Sequence, residues 1–570
     1  FAEFIGYDEY QWIASDLPYT AFAGDWTFAS NLYGDMEEYD AAYIQNILKN
    51  IWRFDGNSIQ RLQNIRALIP HFLNHCIEAI DWSKYTVVGF TSTFEQNIAS
   101  LALAQHIKYL FPEINIVFGG ANWEAEMGLE LHRKFNFVDY SFSGGAEKNF
   151  PQLVRLLKEK NRNQDALNQI KGIVYRAKSE SIFTGHAESL RTLDELPFPD
   201  FSDYFENLMT SSSASPVVPV LLFESSRGCW WGAKKQCTFC GLNGDKVIYQ
   251  SKSAKRVIEE LLYLVDTWGL DMVEVVDNML DMSYFDDVFP ELAQQNRTLC
   301  IFYEVKSNLT RAQVKLLSEA GVGRIQPGIE SLSNNVLKLM RKGATALINI
   351  QLLKWCKEYG VGVDWNLLYG FPGETREDYD YILSLLPTIR FLGPLPTCGP
   401  VRLDRFSPYF RNPENFGLKN IRPLEVYQYI YPFENCSISQ IASCFDFDYR
   451  PDIDPSGFAD DIIEYIDYHR YDLEQGSLKW INGQDDGLIL LDSRSESVGT
   501  EFHLSGSQKD VYEFCDSCKS KTMILTFLKE KQSMKPLSES DLVTFLEKMV
   551  NNRLMITDGE KFLSIALPSH

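Results

Sequence analysis

The sequence has no apolar run long enough to cross a bilayer. VVPVLLF (217–223) is among its longest, far short of the roughly 18 residues a spanning helix needs. Positive charge is also short. Against 77 Asp and Glu there are 54 Lys and Arg, and the net charge of -23 repels phosphate backbones and anionic lipid. Nucleic-acid and membrane partners are therefore disfavoured, and small molecules or a peptide fit better. Histidine is scarce, at 8 residues, and no Asp-x-His-x-x-Gly run occurs. The eleven cysteines are odd in number and show no regular framework, so they read as reduced thiols in a cytoplasmic protein rather than disulfides. No signal peptide is visible. The chain opens on Phe1 in a segment, FAEFIGYDEYQWI, that does not look like a start, and an upstream piece is expected.

What is present centres on residues 223–244, FESSRGCWWGAKKQCTFCGLNG, where Cys229, Cys237 and Cys240 stand at Cys-x7-Cys-x2-Cys spacing. A zinc site closed by protein wants four ligands, whereas a cubane iron–sulfur cluster on three cysteines leaves one iron open for chemistry. Buried structural cysteines with a chance CxxC, or a redox CxxC pair, are the alternatives that spacing alone leaves open. An apolar run, VPVLLFES (218–225), leads into the loop like a strand feeding the mouth of a barrel, and Gly228, Gly232, Gly241 and Gly244 make its backbone permissive.

A strand ending in such a loop, with Phe239 directly before the last cysteine, resembles the radical S-adenosylmethionine (SAM) enzymes. The usual spacing there is Cys-x3-Cys-x2-Cys. The longer gap, with RGCWWG followed by CTFCGLNG, is similar to the cobalamin-dependent radical SAM C-methyltransferases that mature ribosomally made peptides.

At 570 residues the chain is too long for one core, and roughly three to four domains are expected. The reading is α/β throughout: residues 1–165 a Rossmann-like domain, 166–215 a linker, 216–410 a partial (β/α)6 barrel, 411–480 a helical or irregular region, and 481–570 a winged-helix-like domain. The opening 80 residues carry no assignable chemistry. His71 and His75 stand four apart on one helical face without a third ligand, so a packed or solvated pair is the better reading.

From Tyr85 the pattern sharpens into strand, loop, helix and strand, a βαβ unit. Such sheets bind ligands beyond the carboxyl ends of their strands, where Thr91, Ser92, Thr93, Phe94 and Gln96, then Gly119, Gly120 and Ala121, then Gly144, Gly145 and Glu147 fall. Taken alone, the glycine pairs suit tight strand-to-helix turns equally well. By resemblance this is the cobalamin-binding domain that precedes the barrel in many radical SAM proteins, its glycines admitting the nucleotide tail. Without the histidine motif, cobalamin would bind base-off over TSTFEQ. The first strand and helix expected of such a domain are not recognisable between residues 1 and 84.

A turn-rich passage (179–216) then precedes strand-like runs at 218–225, 272–276, 299–303, 323–329 and 361–368, alternating with helical patterns, which argues a parallel sheet. Val257, Leu261, Leu264 and Trp268 form an apolar stripe, and Thr310 and Gln313 are in capping-box order. Asp277, Asn278, Glu304, Lys306, Glu330 and Asn366 fall at carboxyl ends of these strands, where barrels grip ligands; each also suits a cap or a loop salt bridge. Together they suit SAM, with carboxylates for its ammonium or ribose hydroxyls and a cation for its carboxylate. DNMLD, YEVKSN, GIES and NLLYGFPGET are similar to the family's later strand motifs.

Residues 402–470 dictate no reaction. The last 90 residues read as two strands, three helices and a hairpin turning at Asp558-Gly559, the outline of a winged helix. Ten Lys and Arg stand against 14 Asp and Glu over 481–570, and a DNA reader should be basic. The outline resembles the leader-recognition element of peptide-maturing enzymes, in which a leader adds as a strand to a sheet edge. Cys515 and Cys518, a second CxxC on a predicted helix, read as structural.

The resemblance implies a 4Fe-4S cluster on the three cysteines, SAM at its open iron, a 5'-deoxyadenosyl radical that takes hydrogen from an unactivated peptide carbon, and methyl transfer from methylcobalamin. A flavodoxin- or ferredoxin-type one-electron donor and a precursor peptide with a leader are the implied partners. The alternatives are cyclisation or rearrangement with the same cofactors, and a non-catalytic peptide-binding iron–sulfur protein.

Overall fold

The computed structural model describes residues 1–570 apart from 160–162, 212–216, 243, 245–247, 473–475, 485, 496, 532–536 and 570. Residues 212–216 of the expected linker and Asn243 of the cysteine loop thus lie outside the described residues.

The first sheet has five strands, Val87–Thr91, Asn115–Gly119, Tyr140–Phe142, Ile173–Ala177 and Glu180–Phe183, side by side in chain order. The first three are parallel and joined through the helices Asn97–Leu110 and Ala125–Lys134, the Rossmann-like unit expected. An antiparallel hairpin completes the sheet, pairing Tyr140 with Tyr175 and Val174 with Phe183. The expected linker, beginning at 166, therefore starts inside the sheet. Its hairpin turns at Lys178 and Ser179, both at positive φ, without the Gly or Asn that usually marks such a turn.

Among the described residues no strand precedes Val87, and the opening segment is helical up to Ala79. The helices Ala23–Tyr33 and Gly56–Ala79 bury Trp26, Leu62, Ile65 and Ile69 against the first sheet's helices. His71 and His75 lie on the exposed face of the second, with the His75 ring 5.9 Å from that of Phe4.

The barrel sheet runs Leu221–Phe223, Met272–Val275, Cys300–Val305, Val322–Pro327 and Gly362–Val363, all parallel. After a break, the last strand resumes as Asn366–Tyr369 and pairs in parallel with Thr397–Pro400, giving six staves open on one side. Helix Ala254–Trp268 buries Val257, Leu261 and Leu264 on the sheet, and Thr310 and Gln313 form the capping box of Arg311–Glu319.

Residues 403–449 differ from what was expected, the end of the barrel up to 410 and a helical or irregular region from 411. Leu403–Asp404, Cys444–Tyr449 and Leu418–Pro423 form an antiparallel sheet that shares one core with the N-terminal helices. The alternation Phe445-Asp446-Phe447-Asp448-Tyr449 is a half-buried strand signal in its own right.

The C-terminal domain begins earlier than 481, with the strand Leu478–Asn482 paired to Leu488–Asp492. The helices Ser507–Phe514, Lys521–Glu530 and Glu539–Asn551 and the hairpin Met555–Thr557 with Lys561–Ser564 follow as expected. This domain is docked on the barrel helix Ala346–Tyr359. There the buried Lys354 ammonium donates to Asp516 Oδ1 and to the Ser564 carbonyl, each at 2.7 Å. Cys515, fully buried, and Cys518 lie in that seam, burial pushing their thiols up to about 12 and about 11, which suits the structural role. No described helix is long and apolar enough to cross a membrane.

Candidate cluster and cofactor site

The cysteine loop leaves the barrel at Phe223 and is pinned on both flanks by glycine. At Gly228, φ +86°, an added Cβ would sit 1.8 Å from the Ile248 carbonyl oxygen, and at Gly241 it would sit 2.0 Å from that of Arg405. Neither position admits another residue. The seven-residue gap after Cys229 folds as the helix Trp230–Lys235, whose Gly232 N–H points at Cys229 Sγ at 3.3 Å. Its indoles tie the insertion to two barrel loops, one beyond the strand Met272–Val275 and one after the helix Asn334–Leu339: Trp230 Nε1 donates to the Leu280 carbonyl at 3.0 Å and Trp231 Nε1 to that of Arg341 at 3.1 Å. Thr238, buried between the other two cysteines, donates from N–H to Met340 and from Oγ1 to Leu339, both at 3.1 Å.

Burial pushes the Cys240 thiol up to about 11 and raises that of Cys237, opposed in both by the Lys342 ammonium. Among the described residues no three His, Cys, Asp or Glu side chains converge as a single-ion site. Three thiolates of a cubane each bind a different iron and need not converge on one point. The donor set, three half-buried thiols beside two lysines, fits such a cluster.

The strand-end residues divide into two groups. Asp277 is sealed, 1% exposed, accepting from Ser225 N–H at 2.8 Å and from the Ser225 and Ser226 hydroxyls. It clamps the root of the cysteine loop and is spoken for, contrary to a role in gripping SAM. Burial raises its carboxyl to about 6, against the pull of those donors. Asn366 is likewise engaged, its Oδ1 accepting from the Thr397 hydroxyl. Asn278 and Glu304 are half-buried at the mouth, and burial with the neighbouring Glu330 raises the Glu304 carboxyl.

Glu330, at φ +57°, accepts from Lys342 Nζ at 3.1 Å, and Lys306 Nζ donates to the Lys342 carbonyl while lying 3.7 Å from the Trp231 ring centroid. Burial and the second lysine lower the Lys306 ammonium to about 8. Phe239 meets Phe371 edge-on at 5.5 Å, with Lys342 Nζ 5.9 Å from its ring. Lys342 carries no sequence signal beyond its place after a helix.

At the other sheet, register aligns Thr91 with Gly119 and Phe118 with Ser141, so the three expected loops do share one edge. Ser92 is fully buried: its N–H donates to the Gly119 carbonyl at 2.8 Å, and its hydroxyl accepts from Asn122 Nδ2 at 2.9 Å. It holds two loops together and has no face toward a ligand. Gly120 serves the same junction, since a Cβ there would lie 2.5 Å from the Ser92 carbonyl oxygen. Thr93 and Gln96 form a capping box. Thr91, Phe94 (71% exposed), Gln96, Gly120, Ala121, Gly144, Gly145 and Glu147 line an open rim.

That rim faces the cysteine loop. Arg227, the second residue before Cys229, is bidentate to Glu224 at 2.9 and 3.0 Å and reaches Glu147 Oε1 at 2.5 Å. A Cβ on Gly244 would touch Glu124, whose Oε2 accepts from Gly144 N–H at 2.7 Å. Arg405, over Gly241, pairs with Glu126 at 2.7 Å. The loop with the three thiols is thus fastened to the carboxyl edge of the first sheet.

Residues 223–386 match the radical SAM superfamily. An uncharacterized methyltransferase of Pyrococcus horikoshii is 26% identical over 300 residues, 52% of this chain and 62% of its own. The chain spans about half the length of the curated relatives it matches, from 45% to 62% of the first three. Among solved structures, the cobalamin-dependent SAM radical enzyme OxsB, with aqua-cobalamin and SAM bound, superposes with TM-score 0.53 at 16% identity over 70% of this chain and 60% of its own. The radical SAM methyltransferase TsrM of Kitasatospora setae, with tryptophan and aza-SAM bound, gives 0.51 at 16% identity over 70% and 82%. At such identities the likeness is one of fold: a Rossmann-like sheet ahead of a radical SAM barrel.

Proposed function

We propose that this chain is a cobalamin-dependent radical SAM methyltransferase that places a methyl group on an unactivated carbon of a ribosomally made precursor peptide. The observation that carries the reading is the fastening of the three-thiol loop to the open rim of the first sheet through Arg227–Glu147 and Arg405–Glu126. Cys229, Cys237 and Cys240 hold the cluster. Glu304, Lys306, Asn278 and the Glu330–Lys342 pair surround SAM, and the rim from Thr91 to Glu147 takes the corrinoid. These cofactors supply the carbon radical and the methyl group, and the protein aligns and shields them.

The peptide substrate is supported by the C-terminal domain. Glu501–Leu504 is the outer strand of its sheet, paired on one side only among the described residues. Between that edge and helix Glu539–Asn551 lies a groove of about 510 Å³, floored by Phe545 and Met549. An unpaired edge beside a groove with an apolar floor and polar walls, among them Asp541 and Lys548, offers an added strand both backbone partners and room for its side chains.

The test is anaerobic reconstitution with SAM, cobalamin and a co-expressed precursor peptide. Cluster and cobalamin absorbance, a peptide heavier by one methylene, and both S-adenosylhomocysteine and 5'-deoxyadenosine are expected. A peptide of unchanged or lowered mass would replace methyl transfer by rearrangement or ring closure. Absence of deoxyadenosine under strong reductant would end the enzymatic reading.

A further inference from the structure

Lys306 is 8% exposed, yet among the described residues no carboxylate lies within ion-pair distance of its ammonium. Its contacts are the Lys342 carbonyl, to which Nζ donates, and the Trp231 ring, whose centroid is 3.7 Å away. The Glu330 carboxylate is engaged by Lys342 instead, at 3.1 Å. Burial and the like-charged Lys342 both work against the charge on Lys306. An ammonium kept from water without a counterion is costly unless something stands in for the lost solvent. The face of an indole does so, because the ring quadrupole is negative there, and it leaves the charge unneutralised.

The indole is itself held. Trp231 Nε1 donates to the Arg341 carbonyl at 3.1 Å, and the ring closes on Gly343, where an added Cβ would lie 2.4 Å from Cη2. The turn it grips has two left-handed residues, Arg341 at φ +59° and Gly343 at φ +67°, on either side of Lys342. Trp231 belongs to the helix Trp230–Lys235, which fills the seven-residue gap between Cys229 and Cys237. A gap of three residues has no room for that helix, so the indole over Lys306 comes with the longer spacing.

We infer that Trp231 is a positioning residue for SAM: its indole face holds the Lys306 ammonium desolvated and without a carboxylate partner, ready for the carboxylate of the methionine moiety. The inference rests on the radical SAM reading above and gives the insertion in the cysteine loop a role at that site. A carboxylate in the indole's place would neutralise Lys306 and compete with the ligand, whereas the ring stabilises the cation and competes for nothing.

Equilibrium dialysis of radiolabelled SAM against anaerobically reconstituted protein, without reductant, tests this, with iron and sulfide content measured on each sample. Trp231→Leu should bind SAM roughly tenfold more weakly at the wild type's iron content, a loss of about 1.4 kcal/mol, which is within the reach of a desolvated cation–π contact. Trp231→Phe, which keeps an aromatic face and loses the N–H, should stay within about threefold of wild type. Because Trp231 acts through Lys306, Trp231→Leu should add less than about twofold to the loss already caused by Lys306→Met.

Unweakened binding by Trp231→Leu would overturn the proposal, as would equal losses in the Leu and Phe variants, which would assign the effect to the indole N–H. Additive losses in the double variant would overturn it too. A Lys306→Met protein that binds SAM like wild type would assign that ammonium to the charge of the cluster, with the same consequence. Should Trp231→Leu lose iron, Trp231→Met carries the same comparison; loss of iron in both overturns the proposal, since the indole then serves the loop itself. A wild type that holds no cluster, or holds one and binds no SAM, would overturn the radical SAM reading instead.

Discussion

Arg227 and Glu147, 80 residues apart in sequence, meet at 2.5 Å and join the root of the cysteine loop to the third rim loop of the first sheet. Burial works against the Glu147 carboxylate, yet the guanidinium holds it below its usual range. Both side chains keep substantial solvent contact, so the pair adds little to stability and its consequence is positional. Glu147→Gln should leave the cluster and SAM cleavage intact while lowering methylated peptide per deoxyadenosine, by up to roughly 10²-fold if the two cofactors shift by about 1 Å. Quantifying both products from one reaction checks this. An unchanged ratio would make the contact incidental.

Asp25 and Glu95 cap each other's helices. Asp25, in the first turn of Ala23–Tyr33, accepts from Ile98 N–H at 3.0 Å in the first turn of Asn97–Leu110, while Glu95 accepts from Gly24 N–H at 2.6 Å. Burial raises Asp25 to about 7; burial and Asp25 together raise Glu95 to about 8. Both values exceed those of unfolded carboxyls, so between about pH 4 and 8 the folded chain holds protons the unfolded chain has released. Stability therefore falls as pH rises through that window, by at most about 1.4 kcal/mol per pH unit for each group. Thermal unfolding from pH 5 to 8 should show that slope in the wild type. Asp25→Asn should flatten it.

The Lys342 ammonium faces the Glu330 carboxylate at 3.1 Å, with side chains only 12% and 16% exposed. Removing one partner strands the other charge. Lys342→Met should cost roughly 3 to 5 kcal/mol, and adding Glu330→Gln should recover much of it. Melting of the apo proteins in a double-mutant cycle measures the coupling. Additive effects would show the pair to be uncoupled.

The barrel was legible because its strands and helices change period on cue, as at 218–225 and at the Val257–Leu264 stripe, and the capping box at Thr310 was local chemistry in plain view. What escaped were relationships between distant residues. Nothing near Asp277 announces that Ser225 and Ser226 consume it, and nothing near Ser92 announces Asn122. Both residues sit where a ligand contact belongs by position, and both are used to hold loops. Arg227 stood in full view without its partner. The hairpin Ile173–Ala177 with Glu180–Phe183 was hidden by a turn lacking glycine, and the sheet at 403–449 by tyrosines and acids whose alternation runs for only one strand.

The groove beside Glu501–Leu504 gives the last prediction. Thr544 is exposed on the helix that walls it, and its hydroxyl bonds only to the Ser540 carbonyl one turn back at 3.0 Å among the described residues, so replacing it spares the core. Thr544→Trp fills the trough with an indole while leaving Phe545 and Met549 in place. Strand addition needs both the edge and room for alternate side chains, so the variant should bind the full precursor at least tenfold more weakly. Modification of a leaderless core peptide, supplied in excess, should be unaffected, because the barrel mouth is untouched. Fluorescence anisotropy of a labelled precursor reads the first and mass spectrometry the second. Unweakened binding would move leader recognition elsewhere on the chain.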